Sequence, residues 1–454
     1  MFSDTKPYNR YQDSSGLVPW APRLPEHWGT ERGKALFARM ERAPSPEEGV
    51  VTCFRDGVVT LRSRRRTTGF TESLKEIGYQ GVRKGDLVIH AMDAFAGAVG
   101  VSDSDGKSTP VYSVCLPRDS ANVHYFAAVV REMARTSWIQ ALAKGIRERS
   151  TDFRFDTFAT QLLPVPPVEE QAAIVKYLAH ANARIDKAIA AKRRLIGLLK
   201  EQKRAAIAQT MSSDSTGDRE LRHVLTHLVD CEHKTAPFAE ATPWWILRTS
   251  AIKAGEIVWD GAYTTDEESY RAWASRAVPE PGDVIFTREA PVGEAAVIPP
   301  GRAVALGQRT VLMKLRKELI DPQFLVYQIY GGLPRERISL ATQGSTVGHF
   351  NMDDIGWMRV AVPPLDRQRE LVAAVDAINA KASAVIDREH REIELLQEFR
   401  TRLVADVVTG QVDVRAIAAT LPEVEPEAAW VDGSGVPGDD DPAQLDDMLV
   451  DCEA

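Results

Sequence analysis

The 454-residue chain is 44% hydrophobic and 26% charged, the composition of a globular protein long enough for two sizeable cores. No apolar run approaches the length that crosses a bilayer, Met1-Phe2-Ser3-Asp4-Thr5-Lys6 lacks the apolar core of a signal peptide, and Cys53, Cys115, Cys231 and Cys452 are scattered as reduced thiols in a cytoplasm would be. The net charge of −8 does not argue against nucleic acid: residues 421–454 hold eleven Asp/Glu and no Lys/Arg, and without them 56 basic residues face 53 acidic ones.

From about Gly16 to Leu163, short apolar alternations such as Val58-Val59-Thr60-Leu61 and Asp86-Leu87-Val88-Ile89 read as strands, and Val123 to Leu142 reads as helix. From Glu169 to Met211 Gly is nearly absent, Pro is absent, and Ala, Leu, Lys, Arg and Glu dominate, which predicts a long helix. Pro166-Pro167 stops the preceding strand, and Glu169-Glu170 suits the positive end of the helix dipole. Ser212 to Gly217 is a polar linker, a second mixed block runs to about Met358, and a second long helix is expected from about Arg367 to Thr409, with Gly410 as its stop. Beyond about Ala419 the chain is acidic and rich in Pro and Gly, and is expected to be disordered.

The two halves repeat. Val165-Pro166-Pro167-Val168-Glu169-Glu170-Gln171 recurs 197 residues later as Val362-Pro363-Pro364-Leu365-Asp366-Arg367-Gln368, and Gly85-Asp86-Leu87-Val88 recurs as Gly282-Asp283-Val284-Ile285 at the same offset. Each helix carries a coiled-coil seam: Ile174, Leu178, Ala181, Ile185, Ala188, Lys192, Leu195, Leu199, Gln202 and Ala206, and the same positions shifted by 197. Packed side by side, such helices would form a bar about 60 Å long, able to hold two readers on one duplex or simply to scaffold two domains. Lys192 and Glu389 hold equivalent seam positions near the helix midpoints. They are candidates for a register-fixing pair, the alternative being that each reaches out to water.

The order of motifs resembles the specificity subunit of type I restriction–modification systems, from about Gly16 to Val412. The resemblance is carried by Leu24-Pro25-Glu26-His27-Trp28, the two Pro-Pro…Gln segments with their helices, Asp230-Cys231-Glu232-His233-Lys234-Thr235-Ala236-Pro237, Arg248-Thr249-Ser250-Ala251-Ile252-Lys253 and Gly344-Ser345-Thr346-Val347. It implies a mixed α/β fold: two globular target-recognition domains, separated by two long antiparallel coiled-coil helices in a pseudo-twofold repeat. The segments expected are a first recognition domain (1–163, with 1–15 flexible), a central helix (164–212), a second recognition domain (217–358), a C-terminal helix (359–412) and the acidic tail (413–454). It further implies a non-catalytic chain that reads a two-part, asymmetric site in double-stranded DNA. Such a chain docks two methyltransferase subunits, which carry S-adenosylmethionine, and then restriction/translocase subunits, with no membrane involvement. Two departures are Arg367 and Arg369 around Gln368, where the first copy has Glu170 and Ala172, and the acidic tail.

A catalytic apparatus is not legible. The Pro-Pro pairs follow Val165, Ile298 and Val362, so the Asn/Asp-Pro-Pro-Phe/Tyr loop of an amino-methyltransferase is missing, and Gly106-Lys107-Ser108 lacks the upstream Gly of a phosphate loop, so Asp103 to Thr109 is read as a hairpin turn. Glu232-His233-Lys234 has nuclease-like spacing that arises readily by chance. His223 and His227 would share a face only on a helix, and no metal site is expected from them. The expected DNA contacts are Arg62, Arg64, Arg65 and Arg66 in the first domain, and Lys234, Arg248, Arg288, Arg309 and Gln343 in the second. Arginine forks suit phosphates and guanine edges, and Gln can read adenine. Trp244 and Trp245 are expected to fill a core rather than stack on bases.

Overall fold

The computed structural model describes residues 5–65, 76–118, 120–142, 152–343 and 350–423. The chain forms two compact units: residues 1–192 with 391–454, and residues 193–390. Each unit thus takes half of each long helix, a division that crosses the segment boundaries read from the sequence.

The first unit is built on strands β1 (Phe37–Arg39), β2 (Leu87–His90), β3 (Val99–Val101) and β4 (Tyr112–Pro117), all antiparallel, in the order β1-β4-β2-β3. β2 is apolar along its length because both faces are covered. Leu87 and Ile89 join a core with Tyr125, Phe126, Val129 and Met133 of helix α1 (Val123–Arg135), while Val88 packs on the opposite face with Val51, Val59 and Val114. The helix expected to reach Leu142 is broken at Ser137, which has φ 59°, and resumes over Trp138–Ala141.

The first long helix, α2 (Val168–Ser212), begins in this unit, and its Ile174, Leu178 and Ala181 enter the α1 core. In the second unit, strands β5 (Leu225–Asp230), β6 (Val284–Thr287), β7 (Ala295–Val297) and β8 (Thr310–Leu315) repeat the design in the order β5-β8-β6-β7. Helix α3 (Pro322–Gly331) covers one face through Phe324, Val326 and Ile329, and Ile285 faces a separate core on the other. β2 and β6 are offset by 197 residues, the spacing of the sequence repeat. Gly85 and Gly282 precede them with φ 90° and 87°. Asp86 accepts from the Arg83 amide at 2.7 Å and Asp283 from the Glu280 amide at 2.9 Å, so the repeated Gly-Asp is one turn built twice.

The repeated glutamine is a clamp. Gln171, fully buried, donates to Pro166 O (2.9 Å) and Ser120 O (3.2 Å) and accepts from the Asn122 amide (2.9 Å). Asn122 in turn caps α1. Gln368, also fully buried, donates to Pro363 O (2.7 Å) and Leu319 O (2.8 Å) and accepts from the amide of Asp321, the cap of α3 (2.8 Å). One side-chain amide therefore ties the start of each long helix to the start of the helix that covers each sheet.

The second long helix, α4 (Leu365–Val408), runs antiparallel to α2 within each unit. In the first, Asp186 pairs with Arg400 and Lys192 with Glu392; in the second, Lys203 donates to Ser383 Oγ at 3.1 Å, and Met211 shares a core with Leu371 and Val375. The seam departs from the predicted ladder beyond its first turns. Leu195 (40% exposed), Val385 and Phe399 are outside, while Ile189, Ile196, Ile386, Ile393 and Arg400 are buried. A helix near 3.6 residues per turn drifts off a strict heptad, which moves the buried row one residue along.

The termini also depart from expectation. Lys6 bridges Asp413, Tyr11–Asp13 pairs with Arg23–Pro25, and the chain after Gly410 forms helix α5 (Arg415–Thr420) with Val414 and Ala418 buried. Residues 5–15 are therefore not a loose leader, and 413–423 belong to the fold rather than to the tail. Residues 424–454 lie outside the described set. Among the described residues no helix is long and apolar enough to cross a membrane.

Candidate nucleic-acid interface

In the first unit the chain leaves the strand Val59–Leu61 and turns at once into the single helical turn Arg62–Arg65. This gathers three of the four expected arginines; Arg66 lies outside the described residues. Arg64 is 58% exposed, donates to Ser104 Oγ at 2.8 Å and stands 3.5 Å from Asp103. Arg62 Nε donates to Thr52 Oγ1 at 3.2 Å. Arg65 folds back: both of its terminal nitrogens engage Asp56, and its guanidinium lies 4.2 Å from the Phe54 ring centre. Arg65 thus braces the turn, and Arg64 is the arginine presented to solvent.

In the second unit the candidates converge on one end of the sheet. β5 ends at Asp230, β6 hands over to Arg288, and β8 begins just after Arg309, with Asp230 opposite Val311 and Thr287 opposite Thr310. The Arg288 amide donates to Arg309 O at 3.0 Å. Arg288 is 12% exposed, and its Nη1 donates to Asp230 Oδ2 at 2.8 Å. Arg309, held at φ 66° and 54% exposed, lies 3.3 Å from Glu289. Gln308 Nε2 donates to His233 O at 3.1 Å, so the Glu232-His233-Lys234 loop folds onto the same end, with Lys234 exposed.

Arg248 joins them from the neighbouring strand Trp244–Leu247 because Gly307 permits a close approach: a Cβ there would sit 2.9 Å from Arg248 Cα. Arg248 Nε donates to Gly261 O at 2.8 Å, and its guanidinium lies 5.7 Å from the Tyr263 ring. Gln343 is the last residue of the helix Leu333–Gln343, and after residues 344–349 the chain returns to donate from the Phe350 amide to Arg288 O at 3.1 Å.

Sequence reasoning missed the carboxylates. Asp230, Glu289, Asp56 and Asp103 orient four of the arginines, and nothing in their spacing marks them for that role. Arg276 was missed as well; it donates to Cys231 O at 3.1 Å and lies 3.3 Å from Glu232.

Other candidates resolve differently. His227 lies on β5, not on a helix, so it shares no helical face with His223, and among the described residues no three His, Cys, Asp or Glu gather as a metal-holding group. Gly106–Ser108, read as a turn, is a strand antiparallel to Gln80–Val82. Its Lys107 is buried and paired with Glu76 at 2.6 Å. Burial pushes the Cys231 thiol up, which keeps it neutral and a poor nucleophile. Trp244 stacks on Tyr270 at 4.5 Å, and Arg302 lies over Trp259 and Trp245 at 3.9 and 4.7 Å, so both tryptophans are occupied by protein partners.

At the helix midpoints, both members of the predicted register pair lie beside charged neighbours. Lys192 pairs with Glu392, a turn beyond Glu389, and Glu389 is buried, 3.7 Å from Arg388.

At the start of α2, Glu170 gathers both ends of the first unit. The buried carboxylate accepts from Tyr8 Oη and from Trp28 Nε1 (2.9 Å), and lies 2.9 Å from His27 Nε2 and 3.8 Å from Arg415. Burial, then the Glu170 contact, pushes the Tyr8 hydroxyl up, so it stays protonated and donates. Leu24-Pro25-Glu26-His27-Trp28 and the first Pro-Pro…Gln segment thus meet at one carboxylate. Among the described residues the second copy has no such convergence, and its Arg367 instead meets Asp214 and Glu370.

Comparison with known proteins yields a consistent resemblance. No family model matches the chain. It is 22% identical over 133 residues to a protein of Methanocaldococcus jannaschii assigned as a type I restriction enzyme MjaX specificity subunit, a match spanning 29% of each chain. A solved structure described as the basis of complex assembly and conformational transition of the type I R-M system shares the fold, with a TM-score of 0.61, at 17% identity over 85% of this chain and 98% of the other. An HsdS subunit from Thermoanaerobacter tengcongensis aligns over 86% of this chain and 98% of its own, at 16% identity and a TM-score of 0.46. The chain resembles the specificity subunits of type I restriction–modification systems, and its mixed fold with two long paired helices agrees with that resemblance.

Proposed function

We propose that this chain is the DNA-recognition subunit of a type I restriction–modification complex, reading a two-part, asymmetric site with one half assigned to each unit. The observation that carries the reading is the duplication: one four-stranded sheet order, one Gly-Asp turn and one glutamine clamp, each built twice on paired helices. A cluster of arginines on one turn of the first unit and at one sheet end of the second supplies the chemistry for phosphate and base-edge contacts. On this reading the chain itself performs no catalysis. Two methyltransferase subunits, carrying S-adenosylmethionine, and the restriction/translocase subunits dock on it. A recognition subunit of a modification-only complex would have the same design.

A second reading, a coiled-coil scaffold whose units bind protein, draws on the carboxylates that hold Arg65 and Arg288. Selection from random-sequence duplex separates the two. A DNA reader enriches two short motifs with a fixed gap; a scaffold yields only weak, salt-sensitive binding and no motif. Co-expression with candidate methyltransferase subunits, followed by genome-wide methylation mapping, then identifies the site.

A further inference from the structure

The described chain ends against α2. Glu423 lies 2.6 Å from Lys176 Nζ, and Pro422 O lies 2.8 Å from His180 Nε2. This end is anchored by α5, through buried Val414 and Ala418 and through Arg415, which is drawn to Asp413 at 2.7 Å and to Glu170. Lys176 and His180 are one helical turn apart, and Arg184 and Lys187 continue the same face of α2 at i+8 and i+11, both exposed. The face from Lys176 to Lys187 is about 16 Å long.

The 31 residues that follow Glu423 in this sequence carry ten Asp/Glu and no Lys/Arg. Fully extended they reach at most ~100 Å, so the whole basic face is within their range from the anchored end. Glu423 on Lys176 shows that this face accepts a carboxylate from the end of the described chain.

We propose that the Lys176–Lys187 face of α2 is a phosphate-contacting surface for DNA of arbitrary sequence, and that residues 424–454 dock on it as a built-in acidic competitor that lowers that affinity. A tethered segment acts at an effective concentration of the order of millimolar. Non-specific duplex binding, with Kd of about 10⁻⁴ to 10⁻⁶ M, is electrostatic and yields to such a competitor. Base-specific binding is about 10³-fold or more tighter and displaces it. The segment thereby keeps the reader off irrelevant duplex while leaving its target accessible. This role rests on the DNA-recognition reading; the docking itself does not.

The test has two arms. In DNA-free protein, zero-length carbodiimide cross-linking with mass spectrometry is expected to join carboxylates of 424–454 to Lys176 or Lys187; cross-links confined to other lysines overturn the proposal. In the second arm, a random-sequence duplex of about 30 bp is titrated against three proteins at about 50 to 200 mM salt. These are the full chain, a chain ending at Glu423, and a full-length variant with Asp439, Asp440, Asp441, Asp446 and Asp447 changed to Asn. Both altered proteins are expected to bind roughly tenfold tighter at low salt, with the gap closing as salt screens the tail. Equal affinity at every salt overturns the competitor while leaving DNA recognition intact. Cross-links without duplex binding by any of the three proteins overturn the DNA-recognition reading, and the competitor role with it.

Discussion

Arg64 and Arg309 differ from Arg65 and Arg288 in what they can do for a ligand. The first two are more than half exposed, each within 3.5 Å of a carboxylate that aims it. The second two are turned inward onto Asp56 and Asp230 and shape the backbone around them. Arg64→Ala and Arg309→Ala are each expected to weaken binding to the selected site by about 1–3 kcal/mol, the range of a lost base or charged contact, with folding unchanged. Fluorescence anisotropy on the cognate duplex measures this, and unchanged affinity in both variants would assign the arginines to solvent. His90 supplies a pH signature for the first unit. Its Nδ1 accepts from the Asp93 amide at 3.0 Å, and burial lowers its pKa below the ordinary 6.5, against the pull of Asp93. The unfolded chain therefore binds the proton more readily than the folded one. Stability is full above about pH 6.5 and is lost as pH falls through that value toward the folded pKa. Denaturant midpoints between about pH 7.5 and pH 5.5 should fall, and His90→Asn should flatten that slope.

At the scale of elements, the glutamine clamp makes the sharpest prediction. Gln368→Ala leaves the Asp321 amide, Leu319 O and Pro363 O without their shared partner and is expected to cost about 1–3 kcal/mol. Gln171→Ala is expected to do the same in the first unit, and urea melts of both variants check it. The clamp also shows how far the sequence could be read. Pro-Pro…Gln repeated at 197 residues announced two equivalent helices, and the apolar β2 and β6 announced two equivalent sheets, because covalent order and hydrophobic pattern are local signals. The bond that Gln171 donates to Ser120 O and the one it accepts from the Asn122 amide were not legible, since they depend on a loop 49 to 51 residues upstream. The seam was read correctly at Ile174, Leu178 and Ile185, then lost at Leu195, where accumulated drift substitutes Ile196. The candidate arginines stand out in the sequence, but their carboxylate partners do not, because an ion pair such as Asp230–Arg288 joins residues 58 apart in sequence. The short helix Arg415–Thr420 was not legible, because six residues carry no extended periodic signal and its hold comes from a few buried apolar residues and the salt-bridged Arg415.

For the whole molecule, α2 and α4 each contribute to both units, so under the proposed DNA-recognition reading helix length is the variable that a spacing experiment changes. Deleting one heptad from each long helix is expected to alter the gap between half-sites in a selected DNA motif while leaving the half-site sequences alone. An unaltered gap would show that the helices do not set the spacing.

The convergence at Glu170 has a topological consequence. Lys6 bridges Asp413, Gln411 Nε2 donates to Arg23 O at 2.8 Å, and Arg415 reaches the same carboxylate as Tyr8. Residues near both ends of the described chain are thus joined within the first unit by non-covalent contacts, so a covalent link between residues 423 and 5 is compatible with the packing of that unit. A circularly permuted gene that starts within the exposed turn 213–217 and joins residue 423 to residue 5 through a flexible spacer should fold with near-native circular dichroism and thermal stability.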